Sequence, residues 1–130
     1  MLSRRSIIFA AIAASAALAA PAFGTETRTF DLKSFTEAQK AGKPIFVGIH
    51  ASWCPTYKAQ DPILSELMSA PKFKDLVYFL VDFDRQKDAV KFLGARMQST
   101  LIAFKGEKET GRSVGDTDRS SIAALLSKTL

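Results

Sequence analysis

The segment Pro44-Ile45-Phe46-Val47-Gly48-Ile49-His50-Ala51-Ser52-Trp53-Cys54-Pro55 organises the rest of this 130-residue chain. It opens at a proline and continues as an unbroken apolar run over Pro44–Ile49, the pattern of a strand buried on both faces. A short loop follows, and Cys54 opens a helical pattern that extends to about Ser69, with Ile63, Leu64, Leu67 and Met68 at helical spacing. Pro55 suits the first helical position, where a missing N–H costs nothing. Pro62 lies inside the helix and is expected to kink it, because it has no N–H to donate. A strand that delivers a cysteine to a helix start places the sulfur among unpaired N–H groups at the positive end of the helix dipole. Both favour the thiolate, which is the nucleophile.

Working outward, Thr25–Leu32 reads as a strand. Ser34–Ala41 reads as a short helix, capped by Ser34 with Glu37 completing a capping box, and Gly42 stops it. On the other side, Val77–Phe83 is a second apolar strand, Asp88–Leu93 a short helix ended by Gly94, and Thr100–Phe104 a third strand. A turn at Lys105-Gly106-Glu107 leads to a fourth strand, Thr110–Val114, closed by Gly115. The last helix runs from about Asp118 to Lys128, with Ile122, Leu125 and Leu126 on one face. Strands alternating with helices, then a hairpin and a helix, predict an α/β fold: a central mixed sheet flanked by helices on both faces. The phenylalanines at 73, 79, 92 and 104 are expected in its core, and the Asp82-Phe83-Asp84-Arg85 turn is read as a strand end.

The first 22 residues read differently. Arg4 and Arg5 precede an almost purely apolar run over Ile7–Ala20, and small residues follow around Ala20-Pro21-Ala22. Basic, apolar and A-x-A-like regions in that order form a secretory signal peptide, and the run is short of the roughly 20 residues that span a bilayer. Cleavage is placed after Ala22, with Ala19 and Ala20 as alternative sites and an uncleaved membrane anchor as the alternative reading. The Ser3-Arg4-Arg5-Ser6 stretch resembles a twin-arginine export signal. The expected organisation is a signal peptide over 1–22 and one domain over 23–130, delivered to the periplasm. The leader carries two arginines and no acid, so the net charge of +5 falls to +3 without it. Basic and acidic residues alternate along the remainder, which argues against a nucleic-acid surface.

A single cysteine cannot form an intramolecular disulfide, which leaves an inert buried thiol, an intermolecular bridge or a reactive site. One Cys and one His also fall short of the three or four ligands of a usual zinc site. His50, four residues before Cys54, is a candidate for assisting proton transfer, and packing beside the turn is the favoured reading. Trp53 reads either as a shield for the thiol or a surface for substrate, or equally as a packing residue; Tyr57 lies one helical turn from Cys54, within reach to cover its sulfur; and Lys58 reads as solvated surface with a small electrostatic effect.

Trp53-Cys54-Pro55-Thr56-Tyr57-Lys58 resembles the active-site motif of the thioredoxin family, a Trp followed by Cys-x-x-Cys and Lys. Pro62 sits where that family kinks its active-site helix. Thr100-Leu101-Ile102-Ala103-Phe104-Lys105 is similar to the family's Thr-Leu strand facing the site, and Gly115 matches the glycine that ends the next strand. The similarity covers nearly all of the chain beyond the leader, and the chain resembles exported bacterial members with a Cys-Pro-Thr-Cys site. It implies a thioredoxin-like fold and thiol–disulfide exchange. It also marks departures: Tyr57 stands at the second cysteine, Ser99 at the family's cis-proline, Gly48 at its buried acid and Leu80 at that acid's lysine partner. Since a cis bond before a non-proline residue costs about 2.5–4 kcal/mol, Gln98–Ser99 is expected to be trans.

The expected function is therefore thiol–disulfide exchange limited to monothiol chemistry. Cys54 is the catalytic residue, and Trp53, Pro55, Thr56, Tyr57, Ser99 and Thr100 form the substrate groove, with His50 and Lys58 as candidate assisting groups. Expected partners are protein or small-molecule thiols and disulfides. No cofactor, metal or nucleic acid is expected, and the membrane matters only for export. The expected state is a monomer, with a Cys54-linked dimer as a redox-sensing alternative. The rival from another class is a redox-inactive binding or chaperone-like module that uses the same groove.

Overall fold

A computed structural model describes residues 25–130, and the expected signal peptide over 1–22 lies outside them. The chain forms β1 (Glu26–Thr29), α1 (Leu32–Lys40), β2 (Pro44–His50), α2 (Pro55–Met68), a 3₁₀ turn (Pro71–Phe73), β3 (Val77–Asp82), α3 (Lys87–Phe92), β4 (Thr100–Lys105), β5 (Lys108–Val114) and α4 (Arg119–Ser127). The strands lie in the order β1-β3-β2-β4-β5. β1 and β2 both pair parallel with β3, which requires crossover helices, whereas β4 runs antiparallel to both β2 and β5. This is the expected mixed sheet of the thioredoxin-like fold.

Alternation along the central strands sends side chains into two cores. Ile45, Val47 and Ile49 of β2 join Val77, Phe79 and Val81 of β3 and Ile102 and Phe104 of β4, covered by Phe35 and Ala38 of α1 and Ala89 and Val90 of α3. Phe46, Tyr78, Leu101 and Ala103 face the other way, against Leu64 and Met68 of α2 and Ile122, Leu125 and Leu126 of α4. β2 is buried on both faces, as its continuous apolar sequence requires.

Three details correct the sequence reading. The first helix is capped by Asp31, whose carboxylate accepts the N–H of Ser34 at 2.8 Å, so Ser34 is inside the helix rather than its cap. β1 stops at Thr29 because Phe30 turns into the core and Asp31 starts the helix. Phe73, Phe79 and Phe104 are buried, but Phe92 is 57% exposed: α3 ends at it, and its ring meets Phe35 edge-on at 6.3 Å. Gly42, Gly94 and Gly115 do end their elements at positive φ, a conformation open to glycine without steric cost.

Candidate active site

β2 ends at His50, α2 begins at Pro55, and Cys54 is the residue between loop and helix, with extended backbone at φ −85° and ψ 121°. Its N–H donates to the Ala51 carbonyl at 2.9 Å, and its carbonyl accepts the Lys58 N–H at 3.2 Å, closing the first turn. The sheet supplies the other half of the site. Ile49 lies opposite Thr100 in the antiparallel β2–β4 pair, so the residue entering β4 arrives beside the loop leaving β2. That residue is Ser99. Its N–H donates to the Ile49 carbonyl at 2.6 Å, and its hydroxyl lies 3.6 Å from Cys54 Sγ.

These contacts set the chemistry of the sulfur. The Ser99 hydroxyl contributes most, followed by the N–H of Tyr57 and then Thr56, and together they hold the Cys54 thiol down at about 7 against an ordinary 9.0, with burial opposing. The free N–H groups at the helix start act as the sequence implies, but the leading donor is a side chain 45 residues away in the sequence. Lys58 is exposed, and hydrogen bonds rather than its charge lower the thiol. Cys54 is only 4% exposed, because the turn draws it back against Ala51 while Ser99 closes on the sulfur.

Ser99 has φ +64° and is the non-glycine residue with positive φ among the described residues. A left-handed conformation costs an L-residue with a side chain roughly 1–2 kcal/mol. It is held by its own N–H bond to Ile49 and by the Gly115 N–H, which donates to the Ser99 carbonyl at 3.0 Å.

The other expected site residues separate into two groups. Trp53 is 57% exposed, and its indole N–H donates to an Asp84 carboxylate oxygen at 2.7 Å, so it offers a fixed flat surface beside the thiol. Pro55 is exposed, and Thr56 and Tyr57 are half-buried. The Tyr57 ring packs on His50, centroids 4.9 Å apart, so His50 supports the turn through packing, and its Nδ1 is buried without a hydrogen-bond partner. Ser99 and Thr100, expected to line the groove, are both buried, at 2% and 1% exposed, so they stand behind the exposed Trp53 surface rather than on it. The Thr100 hydroxyl donates to the Met97 carbonyl at 2.7 Å, while Met97 itself is exposed.

Three residues escaped the sequence reading. Asp84, which the sequence marks only as part of a strand-end turn, anchors Trp53. Gln60 is 1% exposed and donates to the carbonyls of Ser99 at 3.3 Å and Asp116 at 2.8 Å. Its signal was available, because it stands four residues before Leu64 and eight before Met68, a polar side chain on the buried stripe of α2. Tyr78 explains Gly48. A Cβ built on Gly48 would lie 2.5 Å from the Tyr78 hydroxyl oxygen, so the tyrosine occupies the space beside the position that holds the family's buried acid. Burial pushes the Tyr78 hydroxyl far above its ordinary range, so it stays protonated and cannot serve as a carboxylate would. Gly48 and Leu80 are register partners, the adjacency expected of the missing acid and lysine.

Among the described residues no group of three His, Cys, Asp or Glu side chains is placed to hold a metal ion. A cleft of about 520 Å³ lies beyond Asp84, lined in part by Leu32, Gln86 and Phe92, and Cys54 does not border it.

Comparison with known proteins agrees with this geometry. The family model described as thioredoxin matches residues 26–128. A thioredoxin H-type of Brassica campestris is 33% identical over 89 residues, covering 68% of this chain and 71% of its own length. Among solved structures, Trxlp of Edwardsiella tarda superposes with a TM-score of 0.75 at 37% identity, covering 78% of this chain and 98% of that one. A thioredoxin of Malassezia sympodialis superposes at 0.70 with 21% identity, covering 82% and 93%, a likeness of fold alone.

Proposed function

This chain belongs to the thioredoxin family, and from that premise we propose that it carries out thiol–disulfide exchange through Cys54 alone, after export to the periplasm. The observation that carries the reading is the sulfur held by the Ser99 hydroxyl and the Tyr57 N–H while no second thiol is present. Near neutral pH about half of such a thiol is thiolate. The thiolate attacks one sulfur of a substrate disulfide. A Cys54–substrate disulfide forms as the substrate S–S bond breaks, and the departing sulfur leaves as thiolate and takes up a proton. Resolution requires an external thiol, whose thiolate attacks the substrate sulfur of the mixed disulfide and releases Cys54 with its electron pair. The low pKa of Cys54 makes it a good leaving group in that step.

Tyr57 cannot resolve the adduct, because its ring is engaged with His50 and carries no thiol. Gly48 and Tyr78 supply no carboxylate to accept a proton behind it. A dithiol site would resolve at an effective concentration that free thiols do not match. The natural protein should therefore form a mixed disulfide at Cys54, seen by intact mass, yet turn over a protein disulfide slowly with dithiothreitol. Tyr57→Cys should recover turnover in part, because the Tyr57 N–H already reaches the Cys54 sulfur. Equal turnover by the two proteins would overturn the monothiol mechanism. If Cys54 in the natural protein resists both disulfides and alkylating agents, the binding-module reading replaces it, and its 4% exposure is the observation that favours that outcome.

Export rests on the ordered basic, apolar and small-residue regions over residues 1–22. N-terminal sequencing of the extracytoplasmic protein tests it, and an intact Met1 there would count against it. Replacement of Arg4 and Arg5 by Lys should block export only if the twin-arginine route is used.

A further inference from the structure

We infer that Gln60 is a positioning residue for the Cys54 thiolate: its buried side-chain amide holds the Ser99 backbone so that the Ser99 hydroxyl stays on the sulfur. The inference rests on the reading of Cys54 as the reacting group. One NH₂ group of Gln60 donates to two carbonyls, those of Ser99 at 3.3 Å and Asp116 at 2.8 Å, and so ties the segment entering β4 to the loop leaving β5. The first of these segments carries the Ser99 hydroxyl that lies 3.6 Å from the sulfur. An amide buried to 1% exposure on the apolar stripe of α2 is costly unless its donors are used, and here both are.

The geometry shows why Ser99 needs the tie. At φ +64° it occupies a region that residues with a side chain leave readily. Its N–H bond to Ile49 fixes one end, and the Gly115 N–H and the Gln60 amide converge on its carbonyl at the other. If the Ser99 peptide relaxed toward negative φ, its Cβ would swing and carry the hydroxyl off Cys54, although the Gln60 amide bonds to the Ser99 and Asp116 carbonyls and not to the sulfur. The hydroxyl is the leading contribution to the lowered Cys54 pKa, so a loosened Ser99 should show itself in the thiol's titration rather than only in stability.

The test is the pH dependence of Cys54 alkylation by iodoacetamide in the purified protein, compared for Gln60→Met, Ser99→Ala and the double variant. Methionine keeps the length and removes the donors. Gln60→Met should move the midpoint upward and slow the reaction at pH 7 about twofold, and in the Ser99→Ala background it should change nothing further. A midpoint unmoved by Gln60→Met, or moved equally in both backgrounds, would overturn the inference. Should the variant fail to fold, the natural protein decides: the Gln60 side-chain amide resonances should be protected from exchange and should shift with the same midpoint as Cys54, and resonances flat across that midpoint reject the coupling. If Cys54 in the natural protein shows no titration near 7 at all, it is the reading of the site that fails, and this outcome is distinct from an effect absent only in the Gln60 variant.

Discussion

Replacing Ser99 by Ala tests whether the sheet, rather than the helix start alone, tunes the sulfur. The substitution removes the leading hydrogen bond to Cys54 and leaves the N–H groups of Tyr57 and Thr56, so the thiol's midpoint should rise part of the way from about 7 toward 9.0. At a midpoint of about 8, the thiolate fraction at pH 7 falls from about a half to about a tenth. Each remaining thiolate is about threefold more nucleophilic, since nucleophilicity climbs with basicity with a slope of about 0.4–0.5. The two effects leave the rate at pH 7 about twofold lower and the rate at pH 9 about two- to threefold higher than in the natural protein. Second-order alkylation rates measured between pH 5 and 10 show this crossing directly, with Cys54→Ala as the blank and circular dichroism to confirm the fold. Alanine at φ +64° bears strain similar to that of serine, so the comparison isolates the hydroxyl. Rates that change by one factor at every pH, with the midpoint still near 7, would mean that Ser99 governs access and not ionisation, and the reasoning would be refuted.

Three further outcomes follow from the same structure. Because the folded pKa of Cys54 lies below its unfolded value, the unfolded chain binds more protons between about pH 7 and 9; this contribution to stability should grow as pH rises through that window and vanish as pH falls through 7, and urea midpoints at pH 6, 7, 8 and 9 should show a slope that Cys54→Ala lacks. Gly48→Asp should destabilise the fold by about 2 kcal/mol or more, since even its Cβ would sit 2.5 Å from the Tyr78 hydroxyl; adding Tyr78→Val should recover much of the loss in urea unfolding, and an unaffected single variant would sink the steric account. Ser99→Pro should destabilise by at least about 1 kcal/mol in the same assay, because proline fixes φ near −65° and deletes the N–H that binds Ile49 at 2.6 Å; a neutral or stabilising result would show that the β4 entry readily adopts the family's proline geometry.

Legibility in the sequence followed the range of the forces involved. The apolar run Pro44–Ile49, the proline after Cys54 and the glycines after the short helices are local signals, and the elements they mark appear within one to three residues of expectation. The misplaced cap is also local: Asp31 and Ser34 are both good caps, and only the turn of Phe30 into the core selects Asp31. Phe92 looked like core because hydrophobicity reports a preference for burial, not whether a covering element exists.

The sequence by itself determined the fold class, the position of the one thiol at a helix start and the absence of a second cysteine, because these depend on residue type and short spacing. Only the tertiary structure decided how that thiol is tuned. The antiparallel β2–β4 register brings Ser99 to Cys54, α2 turns Gln60 inward to two distant carbonyls, and the parallel β2–β3 pairing puts Tyr78 against Gly48. Each of these contacts spans at least 30 residues of chain, and its strength depends on separations of a few tenths of an ångström, which no local pattern of residue types encodes.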